Sequence, residues 1–482
     1  VTTPTPALHA GLSPIVKALV VIVAAIGFLF DTYELLMFPV IGSDAISELV
    51  FHKAFQQLTP PEIGTVQLWS GRMLWIAALA GGACGLIGGW LIDRLGRKTI
   101  MVASIFIYSL SPVAAAYSSE LWQLILFRCT TFIGVCVELV AAVTWLAELF
   151  HEKRTREIVI GWTLAMASLG GILVTEVYTL IVEYLKEHPE GISGFPVTPA
   201  AWRYTLLTGL IPGAMILLLL PFVPESFAWR KRKLEGTLKR PSLGELFTPQ
   251  LRRTTLVTAI LSGCGYAAAF GALQMTPLGI VPGLPDLAAR SAEVAKADKE
   301  AVTPEQKKEV GAMRKALGED VKARRGNIQR WQEVGGLVGR IILAVLLVFV
   351  PSRTLLRLFL VPGIVLLPVT YLFVREQEYT LFAAAIFFCG LLTVAQFSYL
   401  SEFLPRVFPV HLRGTGGGFA TNVGGRMIGT MAATLNTEFL SKQFAGSPPV
   451  QVATAAAVIG GTVYLIAFLA SFFLPNPPDE SA

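Results

Sequence analysis

Apolar runs of about twenty residues recur along this chain, separated by short charged or Pro/Gly-rich breaks. A bilayer core about 30 Å thick takes about 20 residues at 1.5 Å each, so a chain built this way can fold as a bundle of membrane-crossing helices. Cutting at the breaks gives twelve spans, near 15–42, 66–92, 98–118, 121–149, 157–185, 202–222, 252–281, 329–350, 355–374, 379–406, 414–440 and 450–474. With 54% hydrophobic and 15% charged residues, the chain has too much apolar surface to hide in a water-soluble core. The expected class is an all-α membrane protein whose first partner is the lipid bilayer.

The remaining composition removes other functions. The formal charge of +6 comes from short basic clusters between apolar runs, with no continuous basic stripe for nucleic acid. Cys84, Cys129, Cys136, Cys264 and Cys389 fall inside apolar segments with no close pair and no neighbouring histidine, against a disulfide framework or metal site. No catalytic constellation and no phosphate-cradling loop is present, so neither an enzyme nor ATP drive is expected, and no cofactor beyond a proton gradient. The first apolar run is too long for a signal peptide and reads as the first span.

Basic residues mark one side: Arg94, Arg97 and Lys98, then Lys153, Arg154 and Arg156, then Arg230 to Lys233. By the positive-inside rule that side is cytoplasmic, with both termini inside, and the expected location is a bacterial inner membrane. Residues 282–328 form a long polar stretch on the other side, where Thr303-Pro304-Glu305-Gln306 has the form of a helix-starting capping box. Residues 223–251 form a basic linker, so the expected division is a bundle over 1–222 and another over 252–482. Trp145-Leu146-Ala147-Glu148-Leu149-Phe150 before Arg154 and Arg156 matches Tyr399-Leu400-Ser401-Glu402-Phe403-Leu404 before Arg406 and Arg413, as in a six-helix repeat.

Between the second and third spans stands Gly89-Trp90-Leu91-Ile92-Asp93-Arg94-Leu95-Gly96-Arg97-Lys98. This resembles the signature loop of the major facilitator superfamily, Gly-x-x-x-Asp-Arg-x-Gly-Arg-Lys, at every defined position. Arg128, Glu148, Pro224-Glu225-Ser226 and the stretch from Glu402 to Gly414 resemble its sugar-porter and metabolite/proton symporter branches. The resemblance implies a secondary transporter working by alternating access, expected as a monomer with a small solute and protons as partners. It also implies a cytoplasmic gating network from Gly89, Asp93, Arg94, Gly96, Arg97, Glu148, Arg154, Arg156, Glu225, Glu402 and Arg413. The second-half copy of the loop, near Val348 to Thr354, lacks the acid and both glycines.

Ionisable groups at bilayer depth cost several kcal/mol, so each needs a partner or a task. Counting helical rise puts Asp31 about 20 Å from the cytoplasmic end of the first span and Arg128 about 12 Å below the outer face of the fourth. An Asp31–Arg128 pair is therefore feasible, as a proton-coupling pair or as a static salt bridge. Glu34, one turn beyond Asp31, reads as a second proton site or as a residue reaching the outer interface. Arg340 and Arg426 are placed near the midplane, with Asn422 one turn from Arg426; their guanidinium forks suit a carboxylate or phosphate, or pair internally with Glu333 or a carbonyl. Tyr266 is a further candidate for the solute cavity, while Arg72, Glu138, Glu176 and Gln396 are weaker ones, some near enough to an interface to snorkel. Sugar porters carry a paired-glutamine motif in the seventh span, where this chain reads Gly263-Cys264-Gly265-Tyr266-Ala267-Ala268-Ala269-Phe270-Gly271. The leading expectation is proton-coupled symport of a small organic anion, ahead of a sugar or polyol porter and an efflux antiporter.

Overall fold

The computed structural model describes residues 14–150, 153–192, 198–219, 242–347, 349–409 and 412–475, with Glu225, Arg230, Leu234 and Glu235. Among these residues every regular element is helical. The N-terminal part comprises α1 (Pro14–Phe51), α2 (Pro60–Leu95), α3 (Arg97–Ala116), α4 (Leu121–Leu149), α5 (Lys153–Glu187), α6 (Ala201–Leu207) and α7 (Leu210–Leu219). The C-terminal part comprises α8 (Arg252–Ala268), α9 (Pro285–Glu300), α10 (Pro304–Leu346), α11 (Ser352–Leu372), α12 (Tyr379–Val407), α13 (Arg413–Gly418), α14 (Met431–Thr434) and α15 (Pro448–Ser471). Nine helices among the described residues are long and apolar enough to cross a membrane.

The three other expected spans are helical but depart from that pattern for visible reasons. The segment over 201–219 breaks at Thr208-Gly209, and a β-carbon on Gly209 would stand 2.6 Å from the Glu34 carboxylate, so the break makes room for an acid. The segment over 413–440 is glycine-rich and wound as a π-helix over Phe419–Gly429 and Leu435–Leu440, turns that often accompany function. The eighth expected span is the end of the 43-residue α10, which begins at the expected capping box: Thr303 Oγ1 accepts from Gln306 N at 3.2 Å and Gln306 Oε1 from Thr303 N at 3.0 Å. The polar stretch is thus a helical hairpin of α9 and the start of α10.

Small residues let the helices approach. A β-carbon on Gly170 of α5 would overlap the Leu29 carbonyl of α1. On α10, Gly335 and Gly339 lie against the Phe387 and Leu391 carbonyls of α12, and Gly390 of α12 lies against the Gln332 carbonyl. In a bilayer, where apolar surface alone does not drive helices together, such backbone proximity supplies the packing. The N- and C-terminal parts meet along α5 with α10 and along α2 with the 419–440 segment.

Candidate functional site

Proline 39 sits inside α1 and has no N–H to offer the Leu35 carbonyl. Arg128 of α4 fills that gap: Nη2 donates to Leu35 O at 2.8 Å and Nη1 to Glu34 O at 2.7 Å. Its guanidinium lies between the rings of Phe38 and Phe132, at 5.4 and 4.8 Å. The expected Asp31–Arg128 pair is therefore not formed. A cation committed to the Leu35 carbonyl that Pro39 leaves without a donor, and to its neighbour Glu34 O, is held one turn beyond Asp31. Glu34 is fully buried against Gly209, not at the outer interface, with Arg128 in electrostatic reach.

Asp31 faces a different residue. Gly27, one turn earlier on α1, leaves a notch in which the Glu138 carboxylate of α4 rests, its Cδ 3.2 Å from where a β-carbon would stand. Asp31 and Glu138 are buried side by side, and the cation within electrostatic reach of Asp31 is Arg426. Glu138, a weaker candidate from sequence, is fully buried.

Arg426 comes from the π-wound segment of the C-terminal part, where it donates through Nη1 to Asn422 Oδ1 at 2.7 Å. Asn422 in turn lies against Gly85 of α2, and Trp75 Nε1 donates to Met427 O at 2.9 Å, so this segment is fixed to the N-terminal part. The Tyr266 ring of α8 packs on Gly425 and lies within electrostatic reach of Arg426. Tyr266 meets Phe397 edge-on at 5.0 Å and stacks on Phe270 at 5.8 Å. Gln396 donates to Leu392 O at 3.2 Å on its own helix and borders the same region at Gly265. The structure thus joins Asn422, Tyr266 and Asp31 around Arg426, with Glu138 beside Asp31.

Arg340 stands apart. Its electrostatic partner is Glu333, two turns back along α10, which accepts from Gln329 and Gln332 Nε2 at 3.0 Å each. Arg72 of α2 pairs with Glu438.

At the signature loop, Gly89 lies in α2 and Gly96 joins α2 to α3 with φ of 104°, a backbone angle that suits glycine. Arg97 donates through Nη1 to Ile92 O at 3.2 Å. Glu225 accepts from the Arg97 and Lys98 backbone N–H groups at 2.9 and 3.1 Å, capping the start of α3 where a helix dipole favours an anion. Glu402 pairs with Arg406 at 2.8 Å. The side chains of Asp93, Arg94, Glu148, Arg154, Arg156 and Arg413 lie outside the described part.

A sequence profile described as sugar (and other) transporter matches residues 17–258, half of the chain. The chain belongs to this transporter family of the major facilitator superfamily. The transporter is 27% identical over 179 residues to a probable 4-methylmuconolactone transporter of Cupriavidus pinatubonensis, covering 36% of this chain and 39% of that one. It is 31% identical over 157 residues to the 4-hydroxybenzoate transporter PcaK of Pseudomonas aeruginosa, covering 31% and 30%. It is 24% identical over 213 residues to the arabinose-proton symporter of Bacillus subtilis, covering 38% and 44%. The matches span about two fifths or less of these relatives' length in the first two cases and 44% in the third. In fold it is similar to the crystal structure of a D-xylose-proton symporter, with a TM-score of 0.64 at 15% identity over 97% of this chain and 99% of that one. Membership of this family, with its long apolar helices, makes the chain an integral membrane protein of a transporter family and not an enzyme.

Proposed function

We propose that this transporter carries a small organic anion together with protons, by alternating access between two six-helix halves over 1–222 and 252–482 with twelve crossings in all. The observation that carries the reading is the meeting of a C-terminal cation with an N-terminal acid: Arg426, with Asn422 and Tyr266, lies within electrostatic reach of Asp31, which Glu138 adjoins. A guanidinium fork binds a carboxylate through two parallel hydrogen bonds, and the aromatic cluster of Tyr266 and Phe397 borders it with apolar surface.

Charge balance then links the two cargoes. An anion that occupies Arg426 withdraws the cation within reach of Asp31, and uncompensated charge inside a bilayer costs several kcal/mol. One proton shared by the Asp31/Glu138 pair leaves the empty site neutral with Arg426, and a second proton restores neutrality when the anion binds, so loaded carriers hold the solute with that second proton and empty carriers hold neither of the two. Glu34 and Arg128 serve by holding α1 against α4, which keeps Asp31 at its depth. Arg340 acts with Glu333, away from the solute. The signature loop, with Glu225, acts as the inner gate. Relatives named for 4-hydroxybenzoate, 4-methylmuconolactone and cis,cis-muconate agree with a flat anion as solute.

Purified transporter in liposomes, given 4-hydroxybenzoate, cis,cis-muconate, inorganic phosphate or arabinose outside and an alkaline interior, tests the reading. One of the anions should accumulate against its gradient. Asp31→Asn and Glu138→Gln should stop accumulation yet keep solute exchange, and Arg426→Gln should stop both. Accumulation of arabinose alone, or uphill uptake by Glu138→Gln at the wild-type level, contradicts it.

A further inference from the structure

The hairpin over 285–328 has no part in the chemistry just described, yet among the described residues it is rich in ion pairs. Internally, α9 and the start of α10 are joined by Arg290 with Asp320, Arg314 with Asp298 at 2.9 Å and Arg324 with Asp286 at 3.1 Å. Leu287 and Val294 of α9 are buried in one cluster with Val310, Leu317 and Val321 of α10. At 43 residues α10 is about 65 Å long, roughly twice the thickness of a bilayer core, so its first half continues beyond the membrane.

That first half lies on the N-terminal part in register. Lys186 of α5 meets Glu319 of α10 at 3.8 Å, Thr179 lies against Gly326, Glu176 pairs with Arg330 at 2.5 Å, and Gly171 lies against Glu333. Steps of seven, ten and fifteen residues back along α5 are matched by steps of seven, eleven and fourteen forward along α10, the signature of two antiparallel helices touching without interruption. Between α1 and α10 a further pair closes the seam. Arg325, fully buried, donates through Nη1 to Asp44 Oδ1 at 3.1 Å and lies over Phe55 at 4.6 Å, while the Gln56 amide rests on Gly318. Next to it, Ser43 donates to Leu278 O at 2.5 Å and Gln67 to Gly279 O at 3.1 Å. All of these contacts join the N-terminal part to the C-terminal part at the end opposite the signature loop.

We infer that the 285–328 hairpin is a strap that locks the two halves together at the outer face, with the Arg325–Asp44 pair as its pin. A carrier that opens outward must unzip the α5–α10 seam and rehydrate Arg325. Removing Asp44 alone leaves the guanidinium buried without its anion, which costs far more than removing both partners. The strap therefore sets how long the carrier rests closed on the outside, a property apart from what the central site binds. This inference rests on the alternating-access reading, and its test uses neither solute nor gradient, so failure of the strap is distinguished from failure of that reading.

The reporter is Gln67→Cys, a seam position 5% exposed and on a helix other than those of the strap. In detergent its rate of reaction with a water-soluble maleimide is compared with that of the parent protein. Adding Asp44→Asn should raise the rate about tenfold or more, whereas Asp44→Asn with Arg325→Met should return it to within about threefold of the reporter alone. Arg290→Ala, which loosens the hairpin internally without touching the seam, should raise it less. A rate unchanged by Asp44→Asn in protein that elutes as a single folded species overturns the inference. So does an equal rise in the double variant, which would show loss of packing and not loss of the pin.

Discussion

Replacing Gly27 by alanine puts the proposed coupling of the two acids under direct strain. The added methyl would stand 3.2 Å from Glu138 Cδ, 3.6 Å from Oε2 and nearer still to Oε1. Relaxed carbon contacts lie at roughly 3.5–4.0 Å, so the carboxylate must withdraw by something under 1 Å. Overpacking of this kind costs about 1–3 kcal/mol, and with about 1.4 kcal/mol per factor of ten that is roughly a 5- to 150-fold penalty on the arrangement that holds Asp31 beside Glu138. The measurement is the ratio of pH-gradient-driven accumulation to solute exchange in the same liposomes. Gly27→Ala should lower that ratio well beyond any loss of folded protein. Shortening the acid by one methylene in Gly27→Ala with Glu138→Asp should raise it again, because the carboxylate then clears the methyl. An unchanged ratio in Gly27→Ala, or a defect that Glu138→Asp leaves untouched, would refute the reasoning.

Other consequences follow from single contacts. Arg426→Lys keeps the charge but not the fork, so an anion that raises the thermal midpoint of the wild type should bind about 10- to 100-fold more weakly, the value of a charged hydrogen bond. Pro39→Ala supplies the N–H that the Leu35 carbonyl lacks, so Arg128→Met should cost less thermal stability in that background than in the wild type, by about 1–2 kcal/mol in a double-mutant cycle. Gly339→Leu must push α10 off the Leu391 carbonyl, and its yield of monodisperse protein should fall sharply while Gly311→Ala, with open space around it, stays near the parent.

How far the sequence could be read depended on the length over which each signal acts. Apolar runs and the signature loop are local patterns, so the helices near 121–149 and 379–406 appear almost as expected, at Leu121–Leu149 and Tyr379–Val407. The capping box at Thr303 marked a helix start for the same reason. Pairing across helices was not legible from depth. Asp31 lies 17 residues from the start of α1, about 26 Å, while on α4 Arg128 and Glu138 lie 21 and 11 residues from the end, about 32 and 17 Å. Asp31 falls between them, so rise alone cannot choose. Two residues carried the missing information: Pro39, which frees a carbonyl for Arg128, and Gly27, which opens a notch for Glu138. The π-winding over 419–429 was not readable as such, though six glycines between Gly414 and Gly425 were its available sign. Arg340 and Arg426 read alike in sequence as arginines at mid-depth, and the structure distinguishes them by partner: Glu333 two turns back on α10 for Arg340, Asn422 one turn back for Arg426.

Proton movement driven by solute is the most direct test. Liposomes loaded with a pH-sensitive dye, voltage-clamped and without a starting pH gradient, would receive an anion that stabilises the wild type but not Arg426→Gln. The account predicts acidification inside as the anion enters, lost when Asp31→Asn and Glu138→Gln are combined. Anion entry with no change in internal pH, or acidification that persists in the double variant, would contradict it.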